Sequence, residues 1–294
     1  MATDSSSLLP PLCAPGYDVT GRVFVVTGGS QGLGLAIARQ LQQRGAKGLV
    51  LVSRNQTKGD AACQELTTST CACKFVKADL GNAQQASNVI PQAIELMKDV
   101  GPITGVVNAA AITERGNLMT TTADEFDSQM AVNVRAPFLI SQAVAKHMME
   151  INSQKQQQTR RQCSIVNISS VAAYGGAPFI MAYSTSKAAL NALTKNNAAE
   201  LAPHGIRVNA INMGWTVTDN ENTLQTANSG PNWIQQADAG VPLGRILRPE
   251  DIASTVGFLL SDSSAMMTGN IVNLHPEFPH GMLSLSATED ECQR

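Results

Sequence analysis

The sequence predicts an α/β protein whose single domain is a doubly wound parallel sheet. Three observations lead there. Short apolar, β-rich runs alternate with helix-period segments along most of the chain. Several of those runs, such as Leu49-Val50-Leu51-Val52, are apolar without interruption, as strands buried on both faces are. The first run leads into a glycine-rich turn and then a helical pattern, the opening of a β-α-β unit. Repeated right-handed crossovers of this kind lay helices on both faces of one sheet.

In chain order, residues 1–18 carry Pro10-Pro11 and Pro15-Gly16 and read as a loose leader. The domain is expected over 19–275, followed by a tail over 276–294. Strands are expected at 23–27, 49–53, 73–77, 103–108, 164–169, 207–212 and 270–274. Helices are expected near 32–45, 57–68, 83–99, 123–150, 183–201 and 249–261, with Pro137 kinking the segment 123–150. The Gln-rich, charged stretch 152–162 reads as a solvated loop leading into the fifth strand. The stretch 216–243 has weak periodicity and follows the C-terminal end of a strand, the edge where open α/β sheets bind ligands. It is expected to form a mobile lid over a substrate.

Composition narrows the function. A chain of 294 residues, 43% hydrophobic, can bury one large core. A net charge of -2 offers no electrostatic footprint for nucleic acid or an anionic membrane, so neither is expected as a partner. No apolar run approaches the roughly 20 residues that span a bilayer. Residues 1–19 lack both the basic segment and the apolar stretch of a secretory signal. Six cysteines scattered through a long chain suggest reduced thiols and a cytoplasmic location. Cys71 and Cys73 have no further Cys or His at metal spacing, so strand packing is expected and no metal.

Two constellations carry chemistry. Thr27-Gly28-Gly29-Ser30-Gln31-Gly32-Leu33-Gly34 places glycines between a strand and a helix start, where unpaired N–H groups and the helix dipole favour an anion. By position Gly28 makes the tight turn, Gly32 lets a pyrophosphate come close, and Gly34 packs helix on strand. The spacing departs from G-x-G-x-x-G, and an ordinary glycine-rich turn is the plainer reading. The second is Tyr183 with Lys187, a phenol and an ammonium on one helix face. Ser170 lies upstream at the end of an expected strand, the edge at which active groups of such folds gather.

With these motifs the chain resembles the short-chain dehydrogenase/reductase family over roughly residues 18 to 274, which implies a Rossmann-type fold. Thr27-Gly28 to Gly32-Leu33-Gly34, with Ser30 and Gln31 inside it, matches the family's cofactor turn. Asp79-Leu80 stands where the family contacts the adenine, and Asn108-Ala109-Ala110-Ala111 where it carries Asn-Asn-Ala-Gly. Asn133, Ser170, Tyr183 and Lys187 match the four catalytic residues. Gly214, Trp215 and Thr216 would pass the nicotinamide carboxamide, and Thr218 matches the Thr after that turn. The chain departs from the pattern at Ala109, Ala111, Met213 and 272–277, which loosens inference about the cofactor turn and the substrate pocket. By resemblance a homodimer or homotetramer is expected, pairing helices near 123–150 and 183–201 across a two-fold axis.

The chemistry expected is hydride transfer with proton transfer. A phenol has a pKa near ~10. An ammonium beside it favours the phenolate, so Lys187 is expected to lower the pKa of Tyr183 toward working pH. Tyr183 then acts as general acid or base, and Ser170 holds the carbonyl oxygen. By resemblance Asn133 holds a water that links Lys187 to solvent, aided by the missing N–H of Pro137, and Lys187 bonds the cofactor ribose. Cofactor choice turns on Ser53 and Arg54 at the end of the second strand. No carboxylate stands there to repel a 2′-phosphate and Arg54 can pair with one, so NADP(H) is expected. In the other reading Arg54 merely covers the adenine and NAD is accepted.

Trp215, Trp233, Asn220, Asn222 and Gln225 suggest an aromatic and amide wall for a small polar carbonyl or alcohol, such as a ketose. The alternative enzyme is a 3-oxoacyl-thioester reductase, whose acidic carrier would need a basic patch such as Arg245 and Arg248. A different class remains open: a cofactor-binding scaffold or sensor without turnover.

Overall fold

Strands with no polar side to show water must be covered on both faces, and the chain folds accordingly. The computed structural model describes residues 17–153 and 162–276. Its strands are β1 (Val23–Thr27), β2 (Gly48–Ser53), β3 (Ala72–Lys77), β4 (Ile103–Asn108), β5 (Cys163–Ser170), β6 (Ile206–Met213) and β7 (Ile271–Leu274). They form one sheet in the order β3-β2-β1-β4-β5-β6-β7, every neighbouring pair parallel. The order runs outward in opposite directions from β1 and β4, which opens a crevice at their C-terminal ends.

The helices are α1 (Gly32–Gln43), α2 (Gln56–Leu66), α3 (Ala83–Ser87), α4 (Val89–Met97), α5 (Ala123–Met130), α6 (Ala136–Asn152), α7 (Met181–Leu201), α8 (Asp219–Ser229), α9 (Trp233–Ala239) and α10 (Pro249–Leu260). Two cores sandwich the sheet. On one face Ile37 and Leu41 of α1, Leu66 of α2 and Val256 and Leu259 of α10 pack on Phe24, Leu49 and Leu51. On the other, Ile90 and Met97 of α4 and Ile140, Val144 and Met148 of α6 pack on Val25, Val50 and Ile165.

Local chemistry explains where the helices differ from expectation. The segment 83–99 is two helices that meet at Asn88. A continuous helix would ask Pro91 for an N–H to give the carbonyl of Ser87, which it lacks. The segment 123–150 does not simply kink: a π-helical turn over Ala131–Arg135 joins α5 to α6, whose first turn contains Pro137. Pro137 has no N–H for the carbonyl of Asn133, and the ladder widens by one residue there. The segment 216–243, despite its weak periodicity, holds α8 and α9. Thr218 caps α8 by accepting the N–H of Glu221 at 3.3 Å.

The leader is not loose throughout. The hydroxyl of Tyr17 accepts from Nε2 of Gln40 on α1 at 2.9 Å. Its ring fills the place a side chain at Gly257 of α10 would need, since a Cβ there would lie 2.2 Å from a ring carbon. Residues 1–16, most of the loop expected at 152–162, and the tail lie outside the described residues.

Gly257→Ala therefore overpacks this seam, and a loss of about 1–3 kcal/mol is expected in a urea titration. Tyr17→Ala in the same chain vacates the space, so the double variant loses less than the sum of the single losses. Simple additivity would remove Tyr17 from this seam.

Candidate active site

The C-terminal ends of the strands open onto a cleft of about 1540 Å³. Its first wall is the turn after β1. Thr27 ends the strand, and its Oγ1 accepts the backbone N–H groups of Ala109 and Ala110 at 3.0 and 3.1 Å. This binds the turn after β1 to the turn after β4. Gly28, at φ +69°, sits so close that a Cβ would lie 3.1 Å from the backbone of Ala110. Gly32, at φ +51°, faces open space, and a Cβ on Gly34 would lie 2.2 Å from the carbonyl oxygen of Gly28. The three glycines thus have the tight-turn, open-approach and close-packing geometries expected of them. No side chain caps α1, which leaves its first N–H groups at the cleft, where Ser30, Gln31 and Leu33 also stand.

The ends of β2 and β3 form the next wall, with Ser53, Arg54, Asp79 and Leu80 lining it. The hydroxyl of Ser53 is buried without a hydrogen-bond partner, a polar atom waiting for one. Lys58 was missing from the sequence reading. It lines the cleft from the first turn of α2, its Nζ donating to Oε1 of Gln31 at 2.6 Å. It follows Arg54 by four residues, and its bond to Gln31 depends on α1 and α2 lying side by side.

Asn108 stands lower than its neighbours. Ala109 and Ala110 line the cleft, but Asn108 is buried beneath it and donates through Nδ2 to Oδ1 of Asn167 at 2.8 Å. It joins β4 to β5 beneath the cleft floor.

At the far end Ser170, Tyr183 and Lys187 meet. The hydroxyl of Ser170 accepts the N–H of Ala172 at 3.1 Å, closing the turn after β5. Lys187 is buried and its Nζ donates to the carbonyl of Ile168 at 2.7 Å, lying 5.5 Å from the centre of the Tyr183 ring. Burial pushes the ammonium down to about 8. Burial also pushes the phenol up to about 12, with the Ser170 hydrogen bond opposing and the Glu221 charge reinforcing the rise. The shift runs opposite to the lowering expected from Lys187 beside it, and Tyr183 keeps its proton at neutral pH.

Asn133 is fully buried and set back from the cleft. Its Oδ1 accepts the N–H of Ile112 and its Nδ2 donates to the carbonyl of Ile112, both at 2.9 Å. Nδ2 also donates to Oγ of Ser186 at 3.0 Å. Its side chain thus fastens the loop after β4 to α7.

The wall after β6 is lined by Gly214, Trp215, Thr216, Thr218, Asn220, Glu221, Leu224 and Gln225. Trp233 and Asn222, expected in this wall, stand behind it. Trp233 is buried with its ring 5.6 Å from that of Trp215, and its Nε1 donates to Oδ1 of Asn222 at 2.9 Å. Arg245 and Arg248 are paired with Asp251 and Asp238, each at 2.6 Å. Among the described residues no group of His, Cys, Asp and Glu could hold a metal, and no helix is long and apolar enough to cross a membrane.

A family model described as enoyl-(acyl carrier protein) reductase matches residues 27–274. The chain belongs to the short-chain dehydrogenase/reductase family. A 2-(S)-hydroxypropyl-CoM dehydrogenase 3 from Xanthobacter autotrophicus is 36% identical over 84% of this chain and 92% of its own. An L-xylulose reductase from Bos taurus is 34% identical over 86% and 95%. Among solved structures, a 3-oxoacyl-(acyl-carrier-protein) reductase from Agrobacterium tumefaciens with NADP bound has a TM-score of 0.78 at 25% identity, covering 89% of this chain and 95% of that one. A 3-ketoacyl-(acyl-carrier-protein) reductase from Brucella melitensis complexed with NADH has a TM-score of 0.75 at 26% identity, covering 88% and 98%. The protein is an oxidoreductase of this family.

Proposed function

We propose that this oxidoreductase uses NADPH to reduce a small polar ketone, such as a ketose, and reversibly oxidises the corresponding secondary alcohol. The observation that carries the reading is the meeting of Ser170, Tyr183 and Lys187 at one end of a cleft whose other end is an open glycine turn. The bound cofactor would supply the hydride. Gly28, Ser30, Gln31, Gly32, Leu33 and Gly34 would hold its pyrophosphate against the uncapped start of α1. Ala109, Ala110 and Lys187 would face the ribose, Asp79 and Leu80 the adenine, and Gly214, Thr216 and Thr218 the carboxamide. Ser53, with its unpartnered hydroxyl, and Arg54 would take the 2′-phosphate, and Lys58 adds a second cation.

In this reading Tyr183, held as neutral phenol, gives its proton to the carbonyl oxygen while Ser170 donates a hydrogen bond to the same atom. The phenolate left behind faces the Lys187 ammonium, so the charge helps most after the proton has moved. Asn133 is a positioning residue, keeping α7 and the loop after β4 in register. In the oxidising direction the same steps run backward.

The ion-paired state of Arg245 and Arg248 speaks against an acidic acyl carrier at this face. Exposed Phe126 and Phe138 on α5 and α6 support a self-association surface on those helices.

Tyr183→Phe should bind NADPH as the parent does and lose about 10²–10⁴-fold in ketone reduction. Equal binding with no ketone reduced by either protein would favour the scaffold reading. Arg54→Ala should raise the KM for NADPH about tenfold and leave that for NADH nearly unchanged. Equal losses with both cofactors would reject the 2′-phosphate assignment.

A further inference from the structure

The lid carries a carboxylate that the proposed chemistry does not use. Two backbone bonds clamp the root of the lid: Leu247 donates to the carbonyl of Trp215 at 3.0 Å, and Val217 donates to that of Leu247 at 2.9 Å. The Thr218 cap then starts α8, and its first turn sets Glu221 in the lining of the cleft that also holds Tyr183 and Ser170. Two donors fix the carboxylate there. Nε1 of Trp215 donates to Oε1 at 2.7 Å, and Nε2 of Gln225 donates to the same oxygen at 2.8 Å.

Both bonds fall on Oε1. No described residue donates to Oε2, and no described cation pairs with Glu221. The charge is also felt at the reacting end, since it adds to the rise of the Tyr183 phenol. An oriented, half-buried carboxylate with one oxygen unspent asks for a hydrogen-bond donor from whatever fills the cleft. It also repels a second negative charge brought close to it.

From the residues at this lid we infer that Glu221 is a specificity-determining residue, taking a hydroxyl of a neutral hydroxylated ketone on Oε2 and turning away ketones that carry a carboxylate. The inference rests on the proposed carbonyl reduction at Tyr183 and narrows its substrate class. Trp215 and Gln225 act through Glu221 as positioning residues. Asn220 and Leu224 line the same wall beside it, one polar and one apolar, and supply no charge that could offset it.

Three four-carbon ketones test this with NADPH: erythrulose, 2-butanone and acetoacetate, each measured as kcat/KM for the parent and for Glu221→Gln. Glutamine keeps the size and an oxygen for the Trp215 and Gln225 donors while removing the charge. The parent should prefer erythrulose to acetoacetate, and Glu221→Gln should lower that ratio at least about tenfold. The ratio of erythrulose to 2-butanone should fall as well. A single common factor on all three ketones would overturn the role of Glu221, as would a parent that reduces acetoacetate as well as erythrulose. Those results leave carbonyl reduction standing. If the parent reduces none of the three, or Tyr183→Phe reduces them equally well, the reductase reading itself fails.

Discussion

A lysine taken out of water must find a partner or give up its charge. Lys187 does part of each: its ammonium reaches the carbonyl of Ile168 at 2.7 Å, and burial still pulls it down to about 8. Around it runs a seam of polar bonds that docks α7 on β5. Oγ of Ser169 donates to the carbonyl of Lys187 at 3.2 Å, and Nδ2 of Asn167 donates to Oγ1 of Thr194 at 2.9 Å. The hydroxyl of Ser184 donates to the carbonyl of Ala172. From the other side Asn133 holds Ser186. Two-sided fastening fixes the position of Tyr183 relative to Ser170, because both ride on elements this seam joins.

The same burial decides the protonation of the phenol. A neighbouring ammonium favours phenolate in general, whereas burial holds this phenol above its ordinary range. The resting site therefore holds a neutral acid beside a cation whose charge is only partly secure. That combination suits proton delivery to a carbonyl. The Thr27 hydroxyl plays a parallel role at the opposite end, tying the glycine turn to Ala109 and Ala110 so that the two halves of the cleft share one frame.

Much of this was legible in one dimension. Uninterrupted apolar runs such as Leu49-Val50-Leu51-Val52 mark strands because nothing else buries both faces of so short a segment. The glycine turn and the Tyr183–Lys187 spacing were readable because local backbone geometry and helix pitch fix them. What escaped depends on the third dimension. Asn108 could be placed at a strand end, but whether it faced the cleft or its neighbour Asn167 follows from β4 pairing with β5. Glu221 reaches the cleft on α8, which the weak periodicity of 216–243 hid, and the bond of Lys58 to Gln31 needs α1 and α2 side by side. Tyr17 lies in a proline-flanked stretch whose composition gives no sign that a ring packs against Gly257. The direction of the Tyr183 shift likewise needs burial, which spacing does not carry.

The account is tested most directly by the pH dependence of ketone reduction at saturating NADPH, from pH 6 to 10. Lys187 is lowered to about 8, so its charge is present below that pH and lost above it, while Tyr183 at about 12 keeps its proton throughout. The rate should hold level at the acid end and fall as the pH rises through about 8, and Lys187→Met should be slow with that step missing. A rate that climbs across the same interval, or a step that survives in Lys187→Met, would contradict it.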